Sequence, residues 1–174
     1  MRRIRPILAA AFLAIPTVSG AQTPKGFADE FLMQFNSSME KFIALAEAMP
    51  AQKYTWSPGE GVMQVGHVYM HVARYNYAYP QNVGTAVPAG VKLDTMESVR
   101  EKAAVVAALR ASADHVRKVV AGLGESGLAT PTRLYGRDVP SWSVLLQLLA
   151  HMNEHLGQSI AYARSNGIVP PWSQ

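Results

Sequence analysis

Two stretches decide the fold: residues 65–79, VGHVYMHVARYNYAY, and residues 145–160, LLQLLAHMNEHLGQSI. Each carries apolar residues at helical spacing, Val65, Val68 and Val72 in the first and Leu145, Leu148, Leu149, Met152, Leu156 and Ile160 in the second. Each also carries a histidine pair four residues apart, His67/His71 and His151/His155. On an α-helix such residues share a face, one turn above the other. Two imidazoles placed in this way can grip one metal ion. If the two helices are neighbours, the pairs can meet inside a helical bundle.

Working outward, two more helices appear. Phe27, Phe31, Phe35, Met39, Phe42 and Leu45 recur at helical spacing, which predicts a helix from about Phe27 to Met49, closed by Pro50. The second helix runs from about Met63 to Tyr79, stopped by Pro80. Asp94 followed by Glu97 reads as a capping box opening a third helix that ends near Ala121, with Gly122 and Gly124 as stop signals. A connection from Leu123 to Pro140 shows no convincing strand pattern. The fourth helix opens at Ser141 and runs to about Asn166, with Gly167 as its C′ residue and Pro170-Pro171 barring continuation. The expected fold is a single all-α four-helix bundle spanning residues 22–174.

Residues 1–21 read as a secretory signal peptide. Arg2, Arg3 and Arg5 are followed by the apolar run Ile7 to Ile15 and the small residues Ser19-Gly20-Ala21. Such a leader places the mature chain in the periplasm or outside the cell. The net charge of +4 includes those three arginines, so the remainder is near neutral and no nucleic-acid partner is implied. No later stretch is long and apolar enough to span a bilayer. The absence of cysteine excludes disulfides, thiolate nucleophiles, cysteine-ligated zinc and c-type haem attachment. The expected partner is a small-molecule substrate, with a homodimer as the alternative to a monomer.

The histidines have competing readings. Each alone is most simply a half-buried, hydrogen-bonded residue; two pairs on separate helices favour a metal. His67 could be a fourth ligand or a residue one turn outside the site. His115, beside Asp114 and Arg117, reads as a solvated helix position. His151-Met-Asn-Glu-His155 also fits the H-x-x-E-H pattern, in which Glu154 would be the general base of a zinc peptidase. Inward carboxylates for a di-iron bundle are not supplied by Glu40, Glu47 and Glu97.

The segments ALAEAMPAQKYTWSPGEGVMQVGHVYMHVARYNY (44–77) and HMNEHLGQSIAYARSNGIVPPWS (151–173) resemble the DinB-like family of metal-binding four-helix bundles. The resemblance implies one divalent metal near one end of the bundle, zinc or nickel foremost, held by His71, His151 and His155. It does not carry over to His67. It implies a metal-dependent hydrolase or a group transferase that works with metal-bound water; some relatives are thiol-dependent S-transferases. A non-catalytic metal- or ligand-binding bundle is the alternative. Glu154, Tyr75 and Gln158 are the candidate proton-handling or supporting groups.

Overall fold

The computed structural model describes residues 26–173, and the leader reading falls outside them. Four helices form the frame: α1 (Phe27–Ala48), α2 (Val65–Ala78), α3 (Lys102–Ala129) and α4 (Trp142–Ser165). α1 and α2 each pack against both α3 and α4. The order around the bundle is therefore α1, α3, α2, α4, and α2 and α4 lie side by side. The predicted apolar stripes form one core: Phe35, Met39, Phe42 and Leu45 of α1 meet Val68 and Val72, Leu109 and Val116, and Leu145 and Leu148. No helix among the described residues is long and apolar enough to cross a membrane.

A loop sets the start of α2. The N–H of Val65 donates to the carbonyl of Trp56 and that of Gly66 to the carbonyl of Tyr54, both at 2.9 Å. These bonds satisfy donors that a helix N-terminus leaves unpaired. A Cβ at Gly66 would lie 3.1 Å from the Tyr54 carbonyl oxygen and 3.0 Å from Arg100 Cδ. Glycine is required there because another backbone passes so close, and His67 follows immediately.

The third helix departs from expectation. It begins at Lys102, and its cap is Glu101, whose carboxylate accepts from the N–H groups of Ala103 (2.9 Å) and Ala104 (2.7 Å). The Asp94/Glu97 capping box does not form. Glu97 lies instead in a short 3₁₀ turn, Met96–Ser98. The connection carrying it is tied to α2: Arg74 Nε donates to the Leu93 carbonyl (3.0 Å), and Arg100 Nε to Gln64 Oε1 (2.8 Å). Tertiary bonds overrode a local signal of low specificity. At its other end α3 is broken at Gly124 (φ 59°, ψ −178°), one of the two expected stop signals, and a separate short helical stretch carries the chain on to Ala129.

The connection before α4 also differs. It holds an antiparallel hairpin, β1 (Pro131–Leu134) and β2 (Arg137–Pro140), in register Pro131↔Pro140 to Leu134↔Arg137. Tyr135 and Gly136 form the two-residue turn, at φ 51° and 78°. Positive φ at both positions suits Asn-Gly best, so the Tyr-Gly pair gave no hairpin signal. A bulky residue in the left-handed region costs roughly 1 kcal/mol. α4 ends as read: Gly167 (φ 75°) donates to the Arg164 carbonyl and Ile168 to that of Ala163.

Replacing Gly66 with Ala should destabilise the fold by about 1–3 kcal/mol despite alanine's better helix propensity, because the new methyl meets a backbone carbonyl. Thermal unfolding measures this; an unchanged or raised Tm would show that the Tyr54 loop yields without cost.

Candidate metal centre

Because α2 and α4 are neighbours, their histidine pairs face each other. His151 Nε2 lies 3.2 Å from His71 Nε2 and 3.2 Å from His155 Nε2. The three ligand atoms fall within 4.8 Å of one another. Their outer nitrogens are held by acceptors. His71 Nδ1 stands 2.8 Å from Glu97 Oε1, and His155 Nδ1 stands 2.8 Å from Gln158 Oε1. The Gln158 amide is oriented in turn by donating from Nε2 to the Tyr162 hydroxyl at 2.8 Å. A carboxylate and an amide oxygen can only accept, so in neutral His71 and His155 the proton sits on Nδ1 and the Nε2 lone pair faces the centre.

Two such lone pairs flank His151 Nε2. Without a cation that arrangement is repulsive for at least one pair, since His151 can donate to only one neighbour. With a cation it is favourable. Metal–imidazole bonds of about 2.0–2.1 Å at angles of roughly 90–110° separate neighbouring nitrogens by about 2.9–3.4 Å, and the observed spacing lies in that interval. The donor set fits a divalent ion.

Burial favours the neutral form of His71 and His151, the form that ligation requires. Burial, then the adjacent His155 and His71, push His151 down to about 4. Burial also holds His71 below the usual histidine range, although Glu97 works the other way. Burial opposes ionisation of Glu97, but hydrogen bonds from His67 and His71, helped by Arg74, outweigh it and keep the carboxylate below its usual range.

The structure brings His71, His151 and His155 together. His67 is one turn away with its Nε2 on Glu97 Oε2 at 3.2 Å, so Glu97 bridges both histidines of α2. Tyr75 packs against His71 and His151, with ring centres at 4.6 and 4.5 Å. Glu154 lies exposed on α4 and does not join this cluster, which leaves the H-x-x-E-H reading without its base. His115 is not a solvated position. It is half-buried against Tyr77 (4.9 Å between ring centres), its Nε2 is shielded without a partner, and burial lowers its pKa. Glu97 was missed as a site residue because it was assigned to a helix cap. The available signal was that Asp94 and Glu97 are the only acids between Tyr79 and Arg100.

A profile of the DinB superfamily matches residues 34–163. A DinB-like protein from Bacillus cereus ATCC 10987 superposes with a TM-score of 0.72 at 18% identity, covering 81% of this chain and 93% of the other. A DinB-like protein from Bacillus subtilis gives 0.67 at 19% identity, covering 83% and 97%. A mycothiol-dependent maleylpyruvate isomerase gives 0.60 at 16% identity, covering 75% and 59%. At these identities the likeness is one of fold. No curated protein matches the chain.

Glu97→Gln should weaken metal binding about 10–100-fold, the usual cost of losing a carboxylate behind a histidine ligand, while His67→Ala should retain the ion. Competition with a chromophoric chelator measures both; unchanged affinity in Glu97→Gln would show that the carboxylate plays no part in the site.

Acidification should destabilise the metal-free protein. His151 resists protonation when folded and accepts a proton near pH 6.5 when unfolded, so stability is full above that pH and falls as pH drops towards about 4. Glu97, depressed when folded, loses its contribution in the same direction at lower pH. Tm of chelator-treated protein should decline between pH 7 and 5, and His151→Leu should flatten the decline; equal slopes would contradict this origin.

Proposed function

We propose that this chain, which belongs to the DinB superfamily, is an exported metal-dependent hydrolase or group transferase acting on a small molecule through one divalent ion, zinc or nickel. One observation carries the reading: His151 Nε2 lies 3.2 Å from the Nε2 atoms of both His71 and His155, with the outer nitrogens of those two fixed by Glu97 and Gln158. His71, His151 and His155 would hold the ion. Three protein ligands are the donor count of catalytic rather than closed structural zinc sites. Bound there, the ion would supply Lewis acidity, polarising a substrate carbonyl or acidifying water. The chain's own part is to aim three imidazoles at one point and to keep His71 and His151 neutral. Glu97 holds the proton of His71 on Nδ1, and Gln158 does the same for His155.

Export is supported by the basic, apolar and small-residue order of residues 1–21. Export separates the chain from low-molecular-weight cytoplasmic thiols, which favours water as the acceptor and hydrolysis over thiol transfer. A second reading is metal binding without turnover. It is favoured by the state of Glu97, the carboxylate that touches the histidines. His67 and His71 already engage it, and Arg74 Nε lies 3.8 Å away.

Screening the zinc- or nickel-loaded mature protein against esters, amides and lactones tests the reading. Turnover should vanish with chelator, return with added metal and be lost in His155→Ala. Turnover that survives complete chelation would overturn it, and inertness of the loaded protein across the panel would favour the binding reading. Intact mass of the exported protein checks the leader: a start near Gln22 is expected, and a secreted species retaining Arg2 to Arg5 would contradict it.

A further inference from the structure

The two sides of the histidine cluster differ in chemistry. Along α2 and into the turn after it runs a ladder of rings four residues apart: His67, His71, Tyr75 and Tyr79. Successive ring centres are 6.4, 4.6 and 5.2 Å apart. At the His67 end the polar groups are already paired, with His67, His71 and Arg74 all on Glu97. On the α4 side Gln158 and Tyr162 are paired to each other. The Tyr75 end is different. Its ring touches two of the three histidines and carries the Arg74 guanidinium 5.2 Å from its centre, but it is only half-buried, and its hydroxyl has no hydrogen-bond partner among the described residues.

The ladder continues out of the helix. Tyr79 is buried, packs on Tyr75 and His151, and shares a 2.6 Å hydrogen bond with the hydroxyl of Tyr135. Tyr135 is the hairpin turn residue at φ 51° and is 67% exposed. Turn geometry would favour Asn there. Folding alone does not account for a large, solvent-facing ring at a strained position. Its contact with Tyr79 joins the hairpin to the histidine cluster.

We propose that Tyr75 and Tyr135, joined through the buried Tyr79 behind them, form the ligand-recognising wall of the metal site. This wall selects small molecules that carry a planar aromatic or conjugated group next to the oxygen that meets the metal. The inference rests on the three-histidine metal reading. Flat rings favour offset or edge contacts with another ring, and the free Tyr75 hydroxyl adds a donor beside the ligand oxygen.

The test uses cobalt(II)-loaded protein, whose visible absorption reports added ligands, titrated with acetohydroxamate and with benzohydroxamate. Benzohydroxamate should bind at least about fivefold tighter, the scale of one or two aromatic contacts. Tyr75→Leu should abolish that preference with cobalt affinity retained. Tyr135→Asn, at a turn position that suits asparagine, should reduce the preference with cobalt affinity retained. Equal affinities in the wild-type protein, or a preference undiminished in the Tyr135→Asn protein, would overturn the wall while leaving the metal reading intact. Failure to bind stoichiometric cobalt would overturn both.

Discussion

Two imidazole lone pairs, those of His71 and His155, point at the Nε2 atom of His151, an arrangement that a cation between the three would favour. In this cluster His151 Nε2 lies 3.2 Å from the Nε2 atoms of both His71 and His155, and two of the three Nδ1 atoms are held by acceptors. Much of the surrounding structure serves that convergence. The bundle order puts α2 beside α4. The close approach at Gly66 seats α2 under the Tyr54 loop and so fixes the height of its histidines. Glu101 caps α3 and thereby leaves Glu97 free to back His71. Burial keeps His71 and His151 unprotonated, and a bound ion would add stability by mass action.

The asymmetry of the cluster gives it a direction. On one side is a charged support of Glu97, His67 and Arg74, closed on itself. On the other is a row of tyrosines reaching the surface at Tyr135. A carboxylate behind a metal ligand raises ligand basicity and fixes its tautomer. The aromatic rings stand on the opposite side of the cluster. The same i,i+4 spacing that places His67 and His71 on one face also places Tyr75 and Tyr79 there. One helical periodicity therefore supplies both a histidine of the cluster and the rings that flank it.

The helices and the histidine convergence were legible because they rest on periodicity, which local sequence carries directly. Val65, Val68 and Val72 face the core as their spacing implies, and so do Leu145, Leu148 and Met152. Glu97 was not legible, because its role depends on a connection folded back by Arg74 and Arg100, and those bonds are tertiary. The hairpin escaped because its strands are four residues each, bounded by prolines, and turn on Tyr-Gly. His115 was misread because its neighbours in sequence are charged, whereas its neighbour in space is Tyr77. Glu154 shows the converse: a motif match with the required residues places that side chain in solvent.

The most direct measurement is the metal content of the protein purified without a histidine tag, for the wild type, His151→Ala and His115→Ala. The account predicts one divalent ion per chain in the wild type and in His115→Ala, and none in His151→Ala. Full occupancy in the His151→Ala protein, or a wild-type chain that binds no divalent ion at stoichiometric concentration, would contradict it.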